Sequence, residues 1–198
     1  MNLSWLELTA VGLIIVVVAT LDARQRGIPA WEAATFRVIN RWPNWLYGVF
    51  WLPMQLGNLV VGTVVGLIIA AIAGELDVAV AVVLAMIFKL VIERFLRREM
   101  HAYLTVRVRP GTSQPGAILR GDVPPSGPSF PSGHVILVAA IGSVLLPVVP
   151  VGLVWAPFLC MLLVMTGRVF VGAHNPLDVT AGLGAGLALG GVLAAFLS

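Results

Sequence analysis

The sequence predicts an all-α integral membrane protein whose core is a bundle of six transmembrane helices. Of its 198 residues, 59% are hydrophobic and only 11% are charged, proportions that lie well outside those of soluble domains. A hydrocarbon core about 30 Å thick needs roughly 20 apolar residues per helix, so this chain accommodates about six spans with short connections. We therefore expect residues 1–198 to form a single membrane domain.

The N-terminal part predicts one span followed by a helix on the membrane surface. The first apolar run, 8–21, has the length of a signal-peptide core, but it is preceded by an acidic residue and not by a basic segment. We therefore interpret it as a retained span. Residues 31–45 combine charges at helical spacing with tryptophans at both ends, which is typical of an interfacial helix that lies against the headgroups.

The middle of the chain predicts spans two and three. The uncharged stretch after the interfacial helix is longer than one bilayer needs, so span two takes its second half, 54–74, with Pro53 marking a bend near its entry. Span three covers 78–96, and its last third carries Lys89 and Glu93. Because ionisable groups at membrane depth are costly, we expect these groups to face a polar cavity.

The C-terminal part predicts the remaining three spans. A long polar segment, 97–131, follows span three, and the next uncharged run is broken at Pro147 and Pro150. Glycines at every fourth position of the last run predict close packing of that helix. The spans are 132–148, 150–168 and 176–197, and the glycines are Gly182, Gly186 and Gly190.

The order of the spans collects polar residues that suit phosphoryl transfer at one membrane face. Two spans separate His134 from His174, so both histidines emerge on the same side. Arginine and lysine bind phosphate oxygens, backbone N–H groups at a helix start bind anions, and an imidazole oriented by a carboxylate can attack phosphorus. The residues expected at this active-site face are Lys89, Arg109, Ser132, His134, Arg168, His174 and Asp178.

The first half of this chemistry is carried by the sequence Pro-Ser-Gly-His at 131–134. Gly133 permits close approach of the backbone to an anion, and the start of span four points its free N–H groups toward that anion. His134 can then protonate a leaving oxygen as a general acid.

The second half lies in the connection between spans five and six. Asn175 can cap a helix that begins at the proline after it, which leaves His174 at the mouth of the site and Asp178 in the first turn. Since Asp178 follows His174 by four residues, its carboxylate can reach one ring nitrogen. Such a hydrogen bond would fix the tautomer and leave the other nitrogen as the nucleophile.

These motifs resemble those of the type 2 phosphatidic acid phosphatase (PAP2) superfamily of membrane lipid phosphatases. Its Pro-Ser-Gly-His motif is intact at 131–134, and its Arg-x5-His-x3-Asp motif is intact from Arg168 to Asp178, with Gly167 where the family usually has serine. The resemblance implies that His174 forms a phosphohistidine intermediate and that Asp178 orients it. It also implies that His134 donates the proton to the leaving group. The phosphate would be bound by Arg168, Ser132 and Gly133.

The first family motif, Lys-x6-Arg-Pro, is not intact. Its lysine corresponds to Lys89, the only lysine of the chain, but the seventh residue after it is Leu96. Either an insertion separates the lysine from Arg109, which precedes a proline, or Arg97 or Arg98 replaces that arginine. We prefer Arg109 because its Arg-Pro-Gly sequence precedes the second motif in the expected order. Lys89 could alternatively form only a membrane ion pair with Glu93.

The function implied by the resemblance is metal-independent hydrolysis of a phospholipid or polyprenyl phosphate. The candidate substrates are polyprenyl phosphate or diphosphate, phosphatidic acid and phosphatidylglycerol phosphate. The chain lacks His, Asp and Cys clusters for a metal, and no cofactor is expected. The alternative is a non-enzymatic transporter or an inactive bundle of the same family. Transporters commonly show repeats or helices broken at the midplane, and neither is evident in the sequence.

The expected partners are the lipid substrate and the bilayer, and the oligomeric state stays open. Nucleic acid is not expected because the arginines flank the spans instead of forming one basic face. Besides the residues assigned above, we expect arginines to contact headgroups or guide the substrate, namely Arg94, Arg97, Arg98, Arg107 and Arg120.

The expected location is the bacterial plasma membrane, but two arguments about the side of the active site conflict. All twelve basic residues lie on the active-site face, which the positive-inside rule assigns to the cytoplasm. Many bacterial members of the family instead act on the outer face. We favour the cytoplasmic side because Arg24, Arg26, Arg37 and Arg41 lie far from every motif.

Overall fold

The structure is a computed structural model that describes residues 4–24, 27–103 and 107–196, with side chains throughout except at 96, 97 and 99–103. Within these ranges the regular secondary structure is helical, the helices being joined by turns and by a longer loop at 114–132, with one isolated backbone bridge between Val108 and Pro128. The helices are α1 (Trp5–Ala23), α2 (Ala30–Asn40), α3 (Leu46–Gln55), α4 (Leu59–Ala73), α5 (Leu76–Tyr103), α6 (Pro110–Ser113), α7 (Gly133–Leu145), α8 (Trp155–Phe170) and α9 (Pro176–Ala195).

The helices confirm the all-α membrane architecture, with each predicted span falling on a helix or on a pair of consecutive helices. In the described part of the chain, α1, Val151–Phe170 and α9 are long and apolar enough to cross a bilayer, and α3 with α4 adds a fourth span if the bent pair counts as one. Two predicted spans fall outside this set. α5 carries charged residues at both ends, and the apolar stretch Gly133–Val148 is shorter than the others.

The bend in span two does not lie where the sequence places it. Pro53 is inside α3, and the break follows it at residues 56–58, where the chain turns by 66° into α4. Asn58 is the N-cap of α4, since its side-chain oxygen accepts hydrogen bonds from the N–H groups of Val60 and Val61. A Cβ at Gly57 would lie 2.7 Å from the Cβ of His134. The broken helix therefore packs against the start of α7.

Helix α7 occupies the centre of the bundle. Every residue from Val135 to Leu145 is buried, which explains why its sequence is apolar without a helical period. The glycine stripe of α9 packs on it as predicted: a Cβ at Gly182 would lie 2.7 Å from the carbonyl oxygen of Ser132, and one at Gly186 would lie 2.5 Å from Ala139. Close packing of α9 thus continues up to the residue before Gly133.

A second glycine face on α9 receives α1. A Cβ at Gly184 would lie 2.5 Å from the backbone nitrogen of Val16, and one at Gly12 would lie 2.3 Å from the backbone nitrogen of Ala188. Since no side chain fits at either point, the two helix backbones are in direct contact. Helix α9 is therefore held between α1 and α7.

Helix α2 is too short to cross the membrane and combines an interfacial face with a buried one. Trp31 and Arg37 are exposed, as expected for a helix among the headgroups. Glu32, Phe36 and Asn40 form the opposite face and are buried. The Asn40 amide donates to the carbonyl oxygens of residues 118 and 170 and accepts from the N–H of residue 118, so it fixes α2 to the loops at this end of the bundle.

The distribution of charge predicts which end of the bundle faces the cytoplasm. We expect a cysteine at Ser126, which is exposed in the loop before α7, to be protected from an impermeant maleimide in intact cells. A cysteine at Leu76, 76% exposed at the opposite end, should be labelled. Both variants are made in a Cys160→Ser background. Labelling of the Ser126→Cys protein with protection of the Leu76→Cys protein would place the motif-bearing end outside.

Candidate active site

The turn between α8 and α9 brings Arg168 and His174 together. Arg168 lies in the last turn of α8, and its carbonyl oxygen accepts hydrogen bonds from the backbone N–H groups of Ala173, at 3.0 Å, and His174, at 3.3 Å. Gly172 adopts a φ of +78°, a conformation that favours glycine over residues with a side chain. The chain thereby reverses within a few residues and places His174 immediately before α9.

The His174 imidazole is held in its neutral form. The side chain is almost entirely buried, with 2% of the residue exposed. Burial, followed by the charges of Arg168 and Arg109, lowers the pKa of His174 well below its ordinary value, whereas an interaction with the backbone of Ser129 raises it. A neutral imidazole retains a free lone pair at physiological pH, which a nucleophile requires.

The expected hydrogen bond between Asp178 and His174 is not formed. The Nδ1 atom of His174 lies 3.9 Å from Oδ2 of Asp178, beyond hydrogen-bond distance. Competing donors explain this difference from the sequence prediction. Oδ1 of Asp178 accepts a hydrogen bond from Nε of Arg107 at 3.0 Å, and Oδ2 accepts one from the backbone N–H of Asn175 at 2.8 Å. The carboxylate still lies beside the imidazole, but other groups fix its position.

Arg107 joins Asp178 to a second buried carboxylate that the sequence analysis did not identify. Its Nη2 atom donates to Oε1 of Glu32 at 2.5 Å. Burial lowers the pKa of Arg107, but the charges of Asp178 and Glu32 outweigh burial and raise it above the ordinary value. Arg107 is therefore charged, and it does not contact headgroups as its loop position suggested. The side chain of Glu32 is likewise buried and does not lie on the exposed face of α2.

His134 lies at the start of α7 and lines a polar cavity of about 470 Å³. Ser132 is the N-cap residue of α7, so the first N–H groups of this helix point toward the motif. Arg109 and Arg168 line the same cavity, whereas the buried His174 does not form part of its wall. The remaining wall comes from α3, the residue that caps α4, the loop at 120–124 and Val171.

Three motif residues keep a buried polar atom without a hydrogen-bond partner within the described part of the chain. These atoms are Oγ of Ser132, Nε of Arg168 and Nδ1 of His174. A buried polar atom normally has a partner, and leaving one unpaired costs free energy. A hydroxyl and a guanidinium can both donate to an anion, so their arrangement fits a phosphate group better than an apolar ligand.

The structure places Lys89 beside Glu93 and not on the wall of the polar cavity. Its Nζ atom lies 2.5 Å from Oε2 of Glu93, and the lysine is buried. The same carboxylate packs against the second motif, because a Cβ at Gly133 would lie 2.5 Å from that oxygen. The ion pair that was the alternative for Lys89 is formed, and its phosphate-binding role stays a prediction.

The position of Arg109 favours it over the other candidates for the first motif. Arg109 lines the polar cavity, and its Nη1 atom donates to the carbonyl oxygen of Ala173, next to His174. The loop is held in place by a backbone hydrogen bond from Arg109 to Gly127. Arg98 is exposed on α5, and the side chain of Arg97 lies outside the described residues.

Arg120 holds the end of α8 in place, a role that the sequence did not predict. Its guanidinium lies 4.1 Å from the ring centroid of Phe170 and donates to the carbonyl oxygens of Phe170 and Trp42. A further hydrogen bond goes to Asn44. These contacts stabilise the end of α8 that carries Arg168. A local sequence signal for this role does not exist, because the partners are 50 to 78 residues away.

Comparison with known proteins finds a matching family model and similar solved structures. The family model described as the PAP2 superfamily matches residues 74–198, a range that contains Lys89 and both intact motifs. The chain is similar to LpxE from Aquifex aeolicus, with a TM-score of 0.72 and 25% identity over 83% of this chain and 95% of that one.

A second solved structure shares the fold. It is the first transmembrane PAP2 type phosphatidylglycerolphosphate phosphatase from Bacillus subtilis, with a TM-score of 0.73 and 21% identity over 98% of this chain and 96% of that one. No curated protein matches the chain.

The geometry predicts that Arg109, and not Arg98, binds the anion. The Arg109→Ala variant should bind inorganic phosphate about 10- to 100-fold more weakly in calorimetric titrations of purified protein, because a hydrogen bond to a charged group is lost. The matched Arg98→Ala variant should retain its affinity. A loss confined to Arg98→Ala would assign the first motif to α5 instead.

Proposed function

The chain belongs to the PAP2 superfamily, and on this premise we propose that it is a hydrolase that removes phosphate from a membrane lipid through a phosphohistidine formed on His174. The substrate is a lipid phosphomonoester or diphosphate, with polyprenyl phosphates and glycerol-based phosphatidic acid or phosphatidylglycerol phosphate as the candidates.

The observation that carries this proposal is the convergence of two arginines and two histidines at one end of an apolar bundle. Arg109, Arg168 and His134 line one polar cavity, and the backbone N–H of His174 donates to the carbonyl oxygen of Arg168. The guanidinium groups of Arg109 and Arg168 suit a phosphate, because their paired donors match its oxygens. The adjacent neutral imidazole supplies a nucleophile, and His134 supplies a second proton-transfer group.

In the first proposed step, a ring nitrogen of His174 attacks the phosphorus atom. A nitrogen–phosphorus bond forms while the bond from phosphorus to the lipid oxygen breaks. His134, which becomes protonated when the bound phosphate offsets the charges of the nearby arginines, gives its proton to that oxygen. Arg168, Arg109 and the N–H groups at the start of α7 stabilise charge on the phosphoryl oxygens. Because these groups supply the positive charge, the proposed mechanism needs no metal ion or cofactor.

In the second step, water replaces His174 on the phosphorus atom. His134, now neutral, accepts a proton from this water, and the nitrogen–phosphorus bond breaks to release inorganic phosphate. The Asp178 carboxylate lies 3.9 Å from Nδ1 of His174, close enough for its charge to stabilise the positive imidazole formed in the first step. Both steps use the same histidine pair, so one site completes the cycle.

An apolar groove next to the polar cavity supports a lipid as the substrate. The groove has a volume of about 310 Å³ and runs along α7 between α4 and α8. It begins at Leu56, beside the helix break that contacts His134, and it ends at Pro150 and Leu153 near the other end of the bundle. A hydrocarbon chain in this groove would lead directly to a phosphate in the polar cavity.

The groove gives a test that separates a lipid phosphatase from a phosphatase of soluble esters. Purified protein should release phosphate from a panel of lipid phosphates, with a higher kcat/KM than for a short-chain ester. Cys160 lines the groove, so Cys160→Phe should lower kcat/KM for the lipid about tenfold, since overpacking costs about 1–3 kcal/mol. Its kcat/KM for the short ester should be unchanged.

The matched control is Leu162→Phe, which introduces the same side chain at an exposed position on the same helix, away from the groove. It should behave as the unsubstituted protein with both substrates. Absence of phosphate release from every lipid of the panel would reject the proposed function, and equal losses in the two phenylalanine variants would reject the groove as the lipid site.

A further inference from the structure

Arg107 lies between two carboxylates that come from opposite ends of the sequence. Its Nε atom donates to Asp178 at 3.0 Å and its Nη2 atom to Glu32 at 2.5 Å. Glu32 and Asp178 are completely buried, and Arg107 is 7% exposed. The three residues thus form an ion cluster, one cation with two anions, that is shielded from solvent.

The cluster is also tied to the backbone that carries the motif. Oε1 of Glu32 accepts a hydrogen bond from the N–H of Leu177 at 2.8 Å, so an anion from α2 lies at the N-terminal end of α9. Asp178 closes the same turn through the N–H of Asn175. The start of α9 is therefore held by both carboxylates, and Arg107 links them.

Asp178 connects the cluster to His174, because its Oδ2 atom is 3.9 Å from Nδ1 of the imidazole and Arg107 links it to Glu32. Burial, followed by the positive charges of Arg168 and Arg109, lowers the pKa of the imidazole. Since the cluster carries one more negative than positive charge, it opposes the field of the two arginines.

We propose that Glu32 and Arg107 are positioning residues that hold the Asp178 carboxylate beside His174 and set the electric field in which the imidazole reacts. This inference rests on the proposed function of His174. Stability alone does not require such a cluster, because buried ion groups can often be replaced by apolar side chains without loss. The hydrogen bonds of both residues instead converge on the turn that carries the nucleophile.

The two residues carry opposite charges, so their removal should have opposite effects on the imidazole. In Glu32→Gln, the amide oxygen can still accept from Leu177 and Arg107, but one negative charge is lost and the pKa of His174 falls. In Arg107→Met, two carboxylates are left uncompensated and the pKa of His174 rises. Arg107→Lys keeps the charge and should resemble the unsubstituted protein more closely than Arg107→Met.

The experiment compares the pH dependence of kcat/KM for these variants, using the best lipid phosphate of the panel. We expect the acid limb of the profile to move by roughly 0.5–1 pH unit, to lower pH in Glu32→Gln and to higher pH in Arg107→Met. Two exposed residues serve as matched controls. Glu75→Gln and Arg37→Met remove the same charges elsewhere and should leave the profile unchanged.

An activity-independent readout keeps this test separate from the proposed function. The chain has three histidines, so ¹⁵N-histidine NMR of purified protein in detergent can follow His174 after assignment with a His174→Gln sample. The pKa of the His174 imidazole in this titration should be lower in Glu32→Gln and higher in Arg107→Met. If the unsubstituted protein releases no phosphate from any lipid, the proposed function fails and the NMR titration alone decides about the cluster.

A purely structural role predicts a different pattern. Both substitutions would then lower the thermal unfolding midpoint and kcat together, without moving the acid limb or the NMR titration. That result would overturn the inference, as would shifts in the same direction for Glu32→Gln and Arg107→Met. If Arg107→Met does not fold, Glu32→Gln and Arg107→Lys decide the question, because both keep hydrogen-bonding groups at their positions.

Discussion

The contact between Arg107 and its two buried carboxylates is the interaction on which the arrangement of the site depends. An apolar bundle accommodates charges at one end only if each is paired or hydrogen-bonded. Arg107 meets this requirement for Glu32 on α2 and Asp178 on α9 at the same time. Removing one partner of such a buried group typically costs about 3–5 kcal/mol, because a charge is left uncompensated. The loop after α5, the short surface helix and the last helix are therefore fixed relative to one another.

Glycine packing supplies the rigid support beneath this charged end. Helix α9 touches α1 and α7 through separate glycine faces, and at Gly182 the contact reaches the carbonyl oxygen of Ser132. A residue with a side chain there would push α9 away from the second motif. The distance between the Pro-Ser-Gly-His motif and the His174 turn is thus set by backbone contacts. A site that stabilises a transition state needs such fixed geometry more than it needs additional contacts.

The sequence predicts the parts of this structure that local spacing determines. Helix positions follow from apolar runs, and the convergence of His134, Arg168 and His174 follows from motif order and the number of intervening spans. The number of spans between two residues cannot predict which charged side chains pair across the fold. Glu32 and Arg107 are 75 residues apart, and nothing near either one indicates the other. The Asp178–His174 hydrogen bond was expected from spacing alone, but Arg107 and the Asn175 backbone compete for the same oxygens.

The central claim is that His174 accepts the phosphoryl group, and trapping the intermediate tests it most directly. His134→Ala should still be phosphorylated by an activated aryl phosphate, whose leaving group needs no proton, but it should hydrolyse the intermediate slowly because no base activates water. Mass spectrometry of the rapidly quenched variant should then find an acid-labile phosphoryl group on His174, absent from the His134→Ala, His174→Ala double variant. A phosphoryl group on another residue, or turnover that persists in His174→Ala, would contradict the account.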